Sequence, residues 1–439
     1  MAGVRDRDLI RLRGFPAGVN NVAPDSDLPV SEATGAPTSL REAVNMDLVG
    51  PRKAPRRRDG YALKDAGSAH SPATLVHTLF AVLDGDLLAY DRNLTPTTIR
   101  ADVGDQYLSY AEVNGDLYWS SPFEFRRIRG DDLADTPGWI GCPGTPSVEP
   151  YSTGGMAAGA YQVAMTWFDA EGRESGAAGL AVVDVAEGQG IRVYAIPSAP
   201  EGATLVRVYL SPPDGADGVL YAAVDLTPWV TQTVLSAGMV GAGKALETLW
   251  RQPLPPCSIL RFWNGRLLGA AGNLLVWSDA LRFGLTTHDS YMRFGQRITM
   301  LEPIGDGEGN AGVFIADHQR VYWMAGGSPK DWRRVIRYDA AAVPGTSLVV
   351  DVADLGLEGS GRAVFWLATD GVFCAGLPGG QVVPLTAGRL ALPDGEQGAS
   401  LFREHNGLRQ LVTSFLSAGG NGLAVTDRAS ATVTRYSTP

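Results

Sequence analysis

L-R-F-W-N-G-R-L-L-G-A-A-G-N-L-L-V-W-S-D-A, residues Leu260 to Ala280, holds two apolar-aromatic runs joined by Asn264-Gly265 and a second break at Gly272-Asn273. A type I′ turn needs positive φ at both central residues, which Asn-Gly tolerates best, so the stretch predicts a tight β-hairpin. The unit recurs at Asp84-Gly85, Asn114-Gly115, Asp370-Gly371 and Asn406-Gly407, with a degenerate copy at Asp317-His318. Asn264 to Asp317 and Asp317 to Asp370 are each 53 residues. Asn114 to Asn264 is 150, which falls to about 50 if a separate domain is inserted between them. Repeats of that length centred on a hairpin predict four-stranded propeller blades.

The rest of the chain agrees. Among 439 residues there are 54 Gly and 28 Pro, a punctuation density that suits many short strands, and no long 3.6-period apolar stretch marks a helix. Between Ala157 and Leu249 the runs A-Y-Q-V-A-M-T-W-F, V-V-D-V-A, I-R-V-Y-A-I, L-V-R-V-Y-L-S and V-L-Y-A-A-V-D-L give six or seven strands in about ninety residues. That density predicts an immunoglobulin- or fibronectin-III-like sandwich without the antibody-type disulfide. The expected class is all-β: a β-propeller-like body with an inserted β-sandwich. Its divisions are an extended docking arm at 1–60, first blades at 61–150, the sandwich at 151–250 and the remaining blades at 251–439, with a Pro/Gly-rich linker over 131–150.

Net charge of −10 argues against general nucleic-acid affinity, which rests on neutralising phosphates. Cys142, Cys257 and Cys374 are isolated, so neither a disulfide framework nor a zinc site is expected. The N-terminus lacks an apolar signal core, and no run is long enough to span a bilayer. Gly238-M-V-G-A-G-K-A245 imitates a phosphate-binding loop, but Ala245 stands where a Ser or Thr must hold magnesium. Asp306-G-E-G-N310 lacks the further ligands of a calcium loop. The five histidines are scattered, and Asp279, Asp289 and Glu302 have the context of solvated carboxylates. No catalytic residue, cofactor or metal is expected. The basic run Arg52, Lys53, Arg56, Arg57 and Arg58 is the one candidate interaction site, for an acidic neighbour or nucleic acid.

Asn45-x-Asp47 followed by Pro55-R-R-R-D-G-Tyr61 resembles an N-terminal signature of tail nozzle and tail tube proteins of short-tailed (podovirus-type) bacteriophages. Asp59 stands where that family commonly has Pro. Gly159-A-Y-Q-V…Asp169-A-E-G-R-E-Ser175 and Asn264-G-R…Trp277-S-Asp279 are similar to further blocks of such proteins, the whole covering about half the chain. The resemblance implies a structural virion protein, not an enzyme: a homo-oligomeric, sixfold ring below the portal and adaptor, meeting tail fibres or spikes and passing DNA transiently. It would assemble in the bacterial cytoplasm, act in the virion tail and not insert in membrane. The alternatives are a receptor-binding or fibre-docking tail protein and a propeller glycoside hydrolase.

Overall fold

The computed structural model describes residues 64–417 apart from 216, 217, 306–308, 310, 356, 391, 406 and 407, together with 18–24, 28, 38–40, 46–49 and 54–57. Nearly every regular element is β, arranged in small antiparallel sheets; the described residues include short 3₁₀ turns and no α-helix. The chain divides into two compact units, 67–293 and 1–66 with 294–439.

The first unit contains three four-stranded meanders. The first is Ala69–Leu75, Thr78–Leu83, Asp86–Tyr90 and Pro96–Arg100; the second is Ser109–Val113, Asp116–Ser120, Phe125–Ile128 and Asp135–Pro137. The third is Ile259–Trp263, Arg266–Ala271, Leu274–Trp277 and Tyr291–Arg293. They pack face to face in chain order. Phe80, Val82 and Leu87 of the first bury against Leu117, Trp119 and Ile128 of the second. Ala111, Val113 and Tyr118 of the second bury against Leu260, Leu267 and Val276 of the third. The second and third meanders are thus neighbours although about 120 residues separate them. Leu260 N donates to Ser109 Oγ at 2.9 Å and Cys257 N to Ser120 Oγ at 2.8 Å across this seam.

The intervening residues form two sheets over one core. Ala181–Val185, Gly159–Asp169, Ala203–Leu210 and Tyr221–Leu226 make one, in that order; Ser147–Tyr151, Gly190–Tyr194 and Gln232–Leu235 make the other. Tyr161, Val163, Met165 and Trp167, spaced by two along one strand, point into a core shared with Ile191, Val193 and Leu235 of the facing sheet. The expected linker over 131–150 is structured at both ends. Asp135–Pro137 closes the second meander and Ser147–Tyr151 opens the two-sheet module, because turn-forming composition there punctuates strands instead of separating domains.

The second unit carries the fourth meander, Ile298–Ile304, Gly312–Asp317, Val321–Ala325 and Arg333–Tyr338, and the fifth, Leu348–Asp351, Arg362–Leu367, Phe373–Gly376 and Val382–Pro384. Phe314, Trp323, Val364 and Trp366 share the core between them. The hairpin Gly395–His405 with Leu408–Ser417 packs Phe415 against the far face of the fifth.

The turn chemistry explains the sheet order. Asp84-Gly85, Asn114-Gly115 and Asn264-Gly265 have φ of 51° and 89°, 54° and 89°, and 45° and 73°, the double positive φ of a I′ turn. Asp317 turns without glycine because its Oδ1 accepts from Gln319 N at 2.9 Å and Arg320 N at 3.0 Å, an Asx turn. Asn406-Gly407 falls outside the described residues, though its flanks pair His405 with Leu408. The even 53-residue interval is less regular than it looks. Asn264 joins first and second strands, whereas Asp317 and Asp370 join second and third. The third, fourth and fifth meanders begin at Ile259, Ile298 and Leu348, 39 and 50 residues apart.

Candidate functional site

A dense polar construction lies in the first unit, around a strand that reads Phe125-Arg-Arg-Ile128. Successive residues of a strand face opposite sides, so two consecutive arginines serve two different surroundings. Both are buried: the side chains of Arg126 and Arg127 are 8% and 4% exposed. A buried charge demands paired partners, and each has them. Arg126 Nε donates to Asp135 Oδ2 at 2.6 Å, and its two terminal nitrogens reach Glu201 at 3.1 and 2.8 Å. Asp135 also accepts from Trp119 Nε1 at 3.0 Å and lies 3.3 Å from Arg100, which pairs in turn with Glu124 at 2.9 Å. Arg127 forks onto both oxygens of Glu171 and lies 3.2 Å from Asp116.

Glu171 and Glu201 come from loops of the two-sheet module, Asp116 and Asp135 from the second meander. The two arginines therefore tie one module to the other through charge-assisted, fork-shaped bonds that fix orientation. The hairpin loop 169–175 completes the joint. Asp169 caps its own turn and holds Arg173 at 2.6 Å; Arg173 lies over the Trp139 ring at 5.0 Å, and Trp139 Nε1 donates to Glu174 O at 3.0 Å. The Glu174 carboxylate accepts from Thr166 Oγ1 at 2.9 Å and from the Tyr209 hydroxyl. Ser175 Oγ receives Trp167 N at 2.9 Å.

Burial pushes the Asp135 carboxyl up despite Arg126 beside it. The hydrogen bond from Arg127 holds Glu171 below the ordinary range, and that from Arg126 does the same for Glu201. A second titrating point lies in the first meander. His70 Nδ1 is 2.9 Å from Ser71 Oγ, which accepts from Leu108 N at 2.8 Å, while Nε2 is buried without a partner. Burial lowers its pKa from 6.5, against the pull of Asp105. The folded protein therefore prefers neutral His70. Its contribution is fully present above pH 6.5 and is lost as pH falls through the lower folded value. Melting temperatures taken between about pH 7 and about pH 5 should fall more steeply in the native chain than in His70→Gln. Parallel curves would remove His70 as the cause.

Of the basic run, Arg56 and Arg57 lie on a strand, Ala54–Arg57, that pairs with Met46–Val49 in the register Asp47 to Arg56 and Met46 to Arg57. Arg52, Lys53 and Arg58 lie outside the described residues. The phosphate-loop imitation is a 3₁₀ turn and a bridge, with Lys244 O accepting from Ala222 N at 2.9 Å and no helix following. Most of 306–310 is outside the described residues. Glu302 corrects the expectation of a solvated carboxylate: it is 3% exposed and receives Ser347 Oγ at 2.7 Å. Asp279 pairs with Arg251 at 2.6 Å, and Arg266 donates to Ser278 O at 2.8 Å. No group of three or more His, Cys, Asp or Glu placed to hold a metal occurs among the described residues. The junction itself was not among the sequence candidates. Its signal was the pair Arg126-Arg127 between Phe125 and Ile128, two charges inside an apolar strand.

No protein-family model matches the sequence, and no curated protein matches it. Among solved structures, the chain is similar to BBS1N from its complex with ARL6DN at 9% identity and a TM-score of 0.31, over 80% of this chain and 88% of that one. It is also similar to the N-terminal domain of Nup159, at 9% identity and a TM-score of 0.27, over 79% and 73%.

Proposed function

We propose that the chain is a non-enzymatic structural subunit of a bacteriophage tail nozzle, forming a homo-oligomeric ring through which DNA leaves the particle. The observation that carries this reading is where the resembling blocks fall. Asp169-A-E-G-R-E-Ser175 is the loop whose Glu171 and Arg173 reach Arg127 and Trp139 of the preceding segment, while Asp169, Glu174 and Ser175 brace the loop within its own module. Asn264-G-R…Trp277-S-Asp279 is a hairpin locked by Arg266, Ser278 and Asp279. Asp47 and Arg56 of the N-terminal signature are register partners on two short paired strands. Side chains used this way hold a shape, which suits a load-transmitting ring.

The face-to-face, in-order packing of meanders favours a closed β-propeller, in which radial repetition leaves only short edges. The inserted module fits an immunoglobulin-like sandwich. Its four-stranded order corresponds to C′-C-F-G and its 147–151 and 190–194 pair to B-E, with 232–235 on the side of E that strand D takes. Assembly would proceed in the bacterial cytoplasm, with adaptor, portal and fibre proteins as neighbours and the run 52–58 as a contact.

Cryo-electron microscopy of purified virions tests this. Density for this chain in a ring on the tail axis is the expected result. Copies on peripheral appendages alone would replace the conduit with a receptor-binding or fibre-docking role, and absence from the particle would sink both.

A further inference from the structure

The fourth strand of each meander is an edge, and an uncovered edge invites pairing unless it is blunted. Three of the five are blunted by shortness: Asp135–Pro137, Tyr291–Arg293 and Val382–Pro384 have three residues each. Pro96–Arg100 begins with proline, which cannot donate to a ladder. Arg333–Tyr338 has six residues and no proline, and Val335 and Ile336 are 39% and 47% exposed. It is also concentrated positive charge in a chain of net −10: Lys330, Arg333, Arg334 and Arg337 fall within eight residues. The Arg334 guanidinium lies 5.3 Å from the centres of the Phe294 and Tyr322 rings. Arg333 and Arg337 are exposed and have no side-chain partner among the described residues.

The complementary surface belongs to the same chain. At one end of the first meander, Asp84, Asp86, Asp102 and Asp105 gather around the Gly85 turn. Among the described residues, Asp84 receives only Ser68 N at 2.8 Å, and Asp86 only Asp102 N at 2.9 Å. Gly104 N donates to Gly85 O at 3.1 Å, pinning Asp102 and Asp105 to either side. No lysine or arginine pairs with any of the four among the described residues. Beside them Tyr107 is 57% exposed, resting on His70 with ring centres 5.4 Å apart.

We propose that the edge Arg333–Arg337 is a docking surface for a second copy of this chain, which presents the acidic end around Asp102 and Asp105. Opposite charges meet at Arg333 and Arg337, and Tyr107 covers Val335. Because edge and acidic end are different patches, the contact is heterologous and propagates head to tail, closing only if the rotation permits. The inference deepens the ring reading above but rests on that reading only for closure.

Its test is sedimentation velocity of the purified full chain over a concentration series at low and high salt. The native chain should associate at low salt and dissociate at high salt, since exposed pairs are screened. Arg333→Glu/Arg337→Glu and Asp102→Lys/Asp105→Lys should each be monomeric at concentrations where the native chain is not. Mixed with each other the two double variants should associate, because the intact basic edge of one meets the intact acidic end of the other, and the chain carrying all four changes should regain association by itself. Thermal melts unchanged by more than a few degrees show that each variant is folded. Native-like association of either double variant, no recovery in the fourfold variant, or a native chain that stays monomeric throughout overturns the proposal. None of these outcomes bears on where the chain sits in a particle, so the two readings fail separately.

Discussion

Arg126→Met should lower stability by about 3–5 kcal/mol, because it strips the nearest counter-charge from a buried carboxylate. Asp135 is 5% exposed at its side chain and would keep only Trp119 and the more distant Arg100. Glu201, 61% exposed, would turn to water and cost little. The size of the loss depends on pH in a calculable direction. Without Arg126, the folded carboxyl of Asp135 rises further above its unfolded value of 3.8, so the unfolded state releases the proton first. The penalty is therefore small below pH 3.8 and grows as pH rises through the interval up to the folded value. Urea unfolding at two pH values reads this directly. Adding Asp135→Asn to Arg126→Met should recover most of the loss, since a neutral amide still accepts from Trp119 without a buried charge. A full, pH-independent loss in the double variant would mean that the arginine acts through packing of its stem instead.

This joint also marks the limit of what the sequence made legible. Asn264-Gly265 announces its hairpin because the requirement for positive φ is local and few residues meet it. The alternation Tyr161, Val163, Met165, Trp167 announces its buried face because a strand repeats every two residues. Arg126 and Glu201 are 75 residues apart, and Arg127 and Glu171 are 44 apart. Nothing local tells a reader that these charges will meet, and an isolated Arg-Arg or Glu-Gly reads as solvated surface. Glu302 was misjudged for the same reason, its partner Ser347 lying 45 residues on. The even spacing of turns misled in the opposite way. It suggested equivalent positions, while an Asx turn at Asp317 and an Asn-Gly turn at Asn264 join different strand pairs. The basic run 52–58 was legible as charge, yet charge alone names no partner.

Phe314→Ala should cost about 3–5 kcal/mol, the range for removing a large aromatic from a packed core. Phe314 is fully buried between the fourth and fifth meanders, with ring centres 4.8 Å from Trp323 and 5.9 Å from Trp366. Two glycines make room for this stack. A Cβ at Gly376 would lie 2.6 Å from the Phe314 ring, and one at Gly380 would lie 2.4 Å from the Trp323 ring. The backbone of the fifth meander thus sits directly on the aromatic faces, and no side chain there can swing in to fill a void. A cavity at Phe314 should consequently stay open, which places the loss in the upper part of the range. Phe314→Leu, which leaves a smaller void, should lose markedly less. Hydrogen exchange locates the effect: amides of Gly312–Asp317, Val321–Ala325 and Arg362–Leu367 should lose protection together, since they share the face from which the ring is removed. Protection lost along Gly312–Asp317 alone would mean that the two meanders are not held by this stack, and the Gly376 contact would then be incidental.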